Sequence, residues 1–260
     1  MNKIDQLLKK KQDNLLSVYF TAGYPQLNNT IDIITDLEDS PADLIEIGIP
    51  FSDPIADGPV IQYSNNAAIE NGITLELIFK QLEKIANTSK IPKILMGYFN
   101  PVLKFGVERF CEKCHQVGVD GVIIPDLPLL EYKNHYEKIF SNYGLHFIFL
   151  VSPQTSKERL LEIEQLSTAF IYAVSTNATT GGAVDFETQS EYFSFLKNHI
   201  SKPFLIGFGV KDKASFEKAC SFANGAIIGS AFIKALSENI RVKDFIEQIK
   251  KTSHDYTIRK

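Results

Sequence analysis

The sequence predicts an α/β chain folded as a single (β/α)8 TIM barrel, one domain over residues 1–260. Three observations carry that expectation. Short apolar runs rich in Val, Ile, Phe and Tyr recur eight times, at 17–21, 44–49, 94–98, 121–125, 146–151, 169–174, 204–208 and 226–228. Most are continuous rather than alternating, as parallel strands buried on both faces require. Amphipathic stretches separate them, and eight strand–helix units in 260 residues is the arithmetic of the barrel. A doubly wound open sheet needs fewer strands and a Gly-rich turn after the first; Phe20-Thr-Ala-Gly23-Tyr-Pro25 is not that turn.

The elements follow in order. A polar, lysine-rich helix is expected at the N-terminus, before the first apolar run. Helical spacing of apolar residues marks 30–37 (Ile31, Ile34, Leu37), 75–86, 103–117, 130–143, 158–166, 192–199 and 214–222. Asn28, Ser156, Asp212 and Ser215 are candidate caps near helix starts, and Gly118, Gly144 and Gly225 are candidate closures. The step from the second run at Leu44 to the third at Ile94 is about 50 residues, against the usual βα repeat of about half that. Its surplus, 51–72, and a second long connection at 175–187 are expected loops on the face where barrels carry chemistry.

Composition bounds the function. A hydrophobic share of 44% with 22% charged residues supports a packed core and excludes disorder, collagen and coiled coil. The net charge of -4 supplies no basic footprint for nucleic acid or an anionic membrane, so an anionic ligand must be held locally. No run approaches the roughly 20 apolar residues of a membrane span. Three cysteines make no disulfide framework, and a cytoplasmic protein is expected. Cys111-Glu-Lys-Cys114-His115 matches a haem-attachment pattern and half a zinc site. Export is not indicated and a second ligand pair is missing, so these cysteines are expected as small buried hydrophobes, with no metal bound.

Three segments point to chemistry. In Leu44-Ile-Glu46-Ile-Gly48-Ile-Pro50, strand alternation puts Glu46 on the face opposite the isoleucines. There it is either a barrel carboxyl primed by desolvation for acid/base work or a structural partner of a buried cation. In Phe51-Ser-Asp53-Pro-Ile-Ala-Asp57-Gly-Pro, the aspartates are either turn formers or a second carboxyl facing the same pocket. Gly207-Phe-Gly209 after the seventh run and Gly229-Ser230 after the eighth fit the barrel phosphate site, where glycine backbone and a helix N-terminus meet the anion.

Glu46-Ile-Gly48-Ile-Pro-Phe-Ser-Asp53-Pro-Ile-Ala-Asp57-Gly-Pro, with Tyr98-Phe-Asn100-Pro101, Gly121-Val-Ile-Ile-Pro-Asp126-Leu-Pro128 and the two glycine segments, resembles the tryptophan synthase alpha subunit family over essentially the whole chain. The resemblance implies retro-aldol cleavage of indole-3-glycerol phosphate to indole and glyceraldehyde 3-phosphate. It implies Glu46 as the acid/base group, Asp57 as the carboxylate on the indole N–H, and Tyr172 beside the glycerol phosphate. Tyr19, Leu95, Leu127 and Ile227 would line the indole slot, and Gly181, Gly209, Gly229 and Ser230 would contact phosphate. The family passes indole to a pyridoxal-phosphate beta subunit in an alpha2beta2 assembly; Asp53, Asn100 and Pro128 match its interface. No cofactor is implied for this chain, the pyridoxal phosphate belonging to the partner. After the sixth run, Ser175-Thr-Asn-Ala-Thr-Thr180-Gly181 replaces the arginine and first glycine common in the family. A free-standing lyase, or another phosphate-binding barrel isomerase or epimerase, is the alternative.

Overall fold

The computed structural model describes residues 2–54, 57–174, 189–207 and 209–250. Nine strand segments form the sheet: β1 (Leu15–Thr21), β2 (Leu44–Gly48), β3 (Lys93–Met96), β4 (Gly121–Ile123), β5 (His146–Phe147), β6 (Leu150–Val151), β7 (Ile171–Val174), β8 (Phe204–Gly207) and β9 (Gly225–Ile228). Their order is β5-β4-β3-β2-β1-β9-β8-β7-β6, and every pairing is parallel. β5 and β6 are the two ends of one stave. Between them the Ile148 N–H donates to Val122 O at 3.0 Å on one side, and Phe149 O accepts from Tyr172 N–H at 2.9 Å on the other. The ring therefore closes through this stave, and eight staves make a (β/α)8 barrel.

Both faces of the staves are covered. β1 and β2 are buried at every position, which is why their sequences read as unbroken apolar runs. Cross-strand register sorts the faces: Ser17, Tyr19 and Thr21 stand level with Leu44, Glu46 and Gly48, with Ile227 beside Ser17. Val18 and Phe20 go with Ile45 and Ile47 toward the helices. On the fifth stave, Phe147 and Phe149 pack outward against Tyr132, centroids 4.2 and 5.1 Å away.

The expected helices form, with informative differences. The stretch 103–117 is two helices, Phe99–Phe105 and Val107–Gln116, broken at Gly106 whose φ of 93° no helix accommodates. The stretch 130–143 carries a π-helical turn, Tyr132–Tyr136, inside it. Much of the surplus after β2 is a helix, Pro59–Glu70, where a loop was expected. Its buried residues are Ser64, Asn65 and Ala68, so it lacks the apolar stripe that marks a helix in sequence. Two helices, Ser230–Ser237 and Val242–Ile249, follow β9.

Ser156 caps its helix, and Asp212 with Ser215 forms a reciprocal capping box. Asn28 makes no cap; Asn29 instead accepts from Gln26 N–H at 3.1 Å. Gly118 and Gly144 take φ of 69° and 68° after their helices, whereas Gly225 begins β9. There a Cβ would lie 2.2 Å from Leu15 O, so only glycine lets β9 close on β1. Phe110, Cys111 and Cys114 are the buried face of Val107–Gln116, and burial pushes the Cys111 thiol up to about 12. Among the described residues, no group of three His, Cys, Asp or Glu is placed to hold a metal, and no helix is long and apolar enough to cross a membrane.

The N-terminal helix, Lys3–Lys10, closes the end of the barrel from which the strands start. Asn2 caps it and donates to Asp120 O at 2.7 Å, while the Asp120 carboxylate accepts from the N–H of Lys3 and of Lys93, each at 3.0 Å. Ile4 is fully buried, and its Cδ1 fills the space beside Gly121. Replacing it empties that plug, so Ile4→Ala is expected to cost about 2–5 kcal/mol, read as a lower urea midpoint with unchanged m-value.

Candidate active site

Glu46 lies on β2, inside the ring and toward the end where the strands finish. It is 0% exposed, its Oε1 accepts a 2.6 Å hydrogen bond from Ser17 Oγ, and its Oε2 has no partner among the described residues. No cation pairs with it among the described residues. Burial pushes the carboxyl up to about 7, opposed by the Ser17 hydrogen bond. A carboxyl in that state holds a proton near neutral pH and releases it at small cost.

Two phenols flank it, each made possible by a glycine. A Cβ on Gly48 would sit 2.3 Å from the Tyr19 hydroxyl, and one on Gly207 would sit 2.2 Å from the Tyr172 hydroxyl. Burial raises both phenols above the ordinary tyrosine range; for Tyr172 the charges of Glu46, Tyr19 and Asp57 raise it further. Gly207, expected in a phosphate turn, thus makes room for Tyr172.

Asp57 is brought to this mouth by the helix that follows it. Gln62 Nε2 donates to Asp57 O at 2.6 Å, and Asn65 Nδ2 donates to Asp57 Oδ2 at 3.3 Å. Thr21 Oγ1 and Ser64 Oγ, 2.7 Å apart, dock the same helix on β1. Burial raises the Asp57 carboxyl, opposed by hydrogen bonds from Asn65 and Tyr98. Helix Pro59–Glu70 is therefore polar on its inner face because that face is part of the site.

On the far side, Gly229 precedes Ser230, the first residue of helix Ser230–Ser237, and a Cβ on Gly229 would lie 3.4 Å from the Tyr19 ring. Gly209 follows β8 with φ of 77°. The first N–H groups of that helix have no partner within the helix, the feature that lets a helix start receive an anion. Gly181 and the connection 175–187 lie outside the described residues.

Among the expected slot residues, Tyr19 and Ile227 face the interior, and Leu127 is buried beyond β4. Leu95 does not join them. It stands level with Ile47, on the helix side, while Ile94 and Met96 stand level with Glu46 and Gly48. The phase of Ile-Leu-Met is invisible in sequence because all three are apolar. Ser17, Asn65 and Met96 were not foreseen; only Ser17, a lone hydroxyl in an apolar run, left a sequence signal. Asp53, Asn100 and Pro128 are exposed on the segments leaving β2, β3 and β4. Asp126 ties two of these together by accepting from Phe99 N–H at 2.8 Å. The exposed Leu103 and Leu130 lie on the helices that follow.

A closed parallel barrel with two carboxyls gathered at the mouth where the strands end is the architecture of a barrel enzyme. The model of the tryptophan synthase alpha chain family matches residues 5–257. A tryptophan synthase alpha chain from Flavobacterium psychrophilum is 49% identical over 253 residues, 96% of this chain and 100% of that one. The crystal structure of the Legionella pneumophila tryptophan synthase alpha chain superposes with a TM-score of 0.85 at 32% identity, covering 96% of each chain. A chain of the Pyrococcus furiosus tryptophan synthase complex superposes with a TM-score of 0.80 at 33% identity, covering 92% of this chain and 98% of that one. The chain belongs to the tryptophan synthase alpha chain family.

Ionising Glu46 costs more in the folded chain than in the unfolded one. Its neutral form stabilises the fold fully below about pH 4.5, and that contribution is lost as pH rises through about 7. Glu46→Gln removes the ionisation, so thermal unfolding is expected to show the variant gaining on the parent as pH rises from 5 to 8, by on the order of 3 kcal/mol. A difference that stays constant with pH contradicts the burial of an ionisable Glu46.

Proposed function

We propose that this chain, read as one barrel domain over residues 1–260, cleaves indole-3-glycerol phosphate to indole and glyceraldehyde 3-phosphate as a carbon–carbon lyase. Glu46 in its neutral form gives its proton to indole C3, and Asp57 stabilises the positive charge that develops on the ring N–H. The Glu46 carboxylate then takes the proton of the side-chain hydroxyl. The C3–carbon bond breaks, its electron pair returns to the ring, and the hydroxyl carbon becomes the aldehyde. Glu46 ends as it began, so protons and electrons balance. Tyr172 borders the glycerol phosphate, Tyr19, Leu127 and Ile227 line the indole slot with Met96 in place of Leu95, and Gly181, Gly209, Gly229 and Ser230 hold the phosphate.

One observation carries this reading: a fully buried Glu46 with one oxygen bound by Ser17, the other unpartnered, and a carboxyl raised to about 7. Membership of the family supports the substrate. No cofactor is assigned to this chain. Family membership and the Pyrococcus furiosus complex support a partner, the pyridoxal-phosphate beta subunit of an alpha2beta2 assembly, docked on the face bearing Asp53, Asn100 and Pro128. A cytoplasmic location goes with that role.

Glu46→Gln is expected to lose indole formation by at least about a thousandfold while binding glycerol 3-phosphate within about threefold of the parent; normal turnover in that variant sinks the assignment. For the parent enzyme, kcat/KM is expected to fall as pH rises through about 7, the neutral carboxyl being the starting form. Mixing with a beta subunit is expected to speed indole release and to yield a co-eluting complex; neither effect would favour the free-standing lyase.

A further inference from the structure

Ser17 stands level with Leu44 and Ile227, and Tyr19 stands level with Glu46. The Ser17 hydroxyl therefore reaches Glu46 from one layer deeper in the barrel, two residues back along β1. Both side chains are 0% exposed, and the bond at 2.6 Å engages Oε1 alone. Oε2 is buried and has no partner among the described residues. The Ser17 hydroxyl engages Oε1, which leaves Oε2 as the carboxyl oxygen open to exchange a proton.

We propose that Ser17 is a positioning residue for the proton transfers assigned to Glu46: it holds Oε1 and reserves Oε2 as the oxygen that exchanges a proton with the substrate. The inference rests on the acid/base reading of Glu46 above and adds which oxygen acts and what aims it. A carboxyl free to rotate would present either oxygen and spread its proton between them, whereas one anchored oxygen leaves a single geometry for transfer. The hydroxyl has a second effect. Among the described residues, Tyr19 from β1, Tyr172 from β7 and Asp57 from the segment after β2, with Tyr98 beside them, are the titratable groups around Glu46, and all are neutral or acidic. With no cation among them, the Ser17 hydrogen bond is what opposes burial and holds the carboxyl near neutrality.

The test compares Ser17→Ala and Ser17→Thr with the parent full chain by two readouts. The first is NMR titration of the Glu46 side-chain carboxyl carbon in glutamate-labelled protein, its signal assigned by its absence from Glu46→Gln. The second is the pH dependence of kcat and KM for indole formation. In Ser17→Ala the Glu46 titration and the kcat/KM limb are expected to move up together by about one unit. On the low-pH plateau kcat falls roughly tenfold with KM within about twofold, and Ser17→Thr, which restores the hydroxyl, returns both readouts toward the parent. A Glu46 titration unmoved in Ser17→Ala overturns the inference while an inactive Glu46→Gln still stands. A titration that moves without the kinetic limb overturns it together with the reading of Glu46. A Ser17→Thr variant indistinguishable from Ser17→Ala overturns it as well.

Discussion

A carboxyl group that, among the described residues, has one hydrogen bond and no cation, enclosed in a ring of parallel strands, is the constraint around which this barrel is arranged. Transferring an ionised carboxylate from water to such a place is prohibitive, so the group stays neutral until the pH approaches 7. That neutrality makes Glu46 compatible with the fold and gives it a proton to transfer. The cost of enclosing it is carried by the apolar packing of the staves, whose outward side chains Val18, Phe20, Ile45 and Ile47 are fully buried.

The interior around Glu46 is shaped by side chains that are missing as much as by those present. Tyr19 and Tyr172 occupy space that Cβ atoms on Gly48 and Gly207 would fill, so each phenol is coupled to a glycine on the neighbouring strand. Buried phenols resist ionisation, so they add no charge where Glu46 must hold its proton.

The two ends of the barrel divide the labour between stability and chemistry. At the end where strands begin, Asp43 accepts from Lys11, Lys250 and the Leu16 N–H, Asp120 accepts from the N–H groups of Lys3 and Lys93, and Ile4 fills the opening. These contacts bring residues from both ends of the chain to one surface. At the opposite end, the polar helix Pro59–Glu70 brings Asp57 to the mouth through Gln62 and Asn65 and is docked by Ser64 on Thr21. The segments carrying Asp53, Asn100 and Pro128 leave that same end, so a partner seated there would lie directly over the site.

By itself the sequence determined the barrel, because continuous apolar runs separated by amphipathic stretches report burial on both faces whatever their exact boundaries or spacing. It also determined the side of β2 on which Glu46 lies, since a lone charge among isoleucines sets the phase of a strand. Where polarity does not mark the phase, tertiary structure alone decided: Ile-Leu-Met on β3 reads the same in either register, and only pairing with β2 puts Met96 inside and Leu95 outside. A polar helix packed on a polar site, Pro59–Glu70, is likewise indistinguishable from a loop until its partners are in place. The hydrogen bond from Ser17 to Glu46 joins residues 29 apart in sequence. Nothing local to either residue specifies it; it exists because closing the ring sets β1 beside β2 at one register.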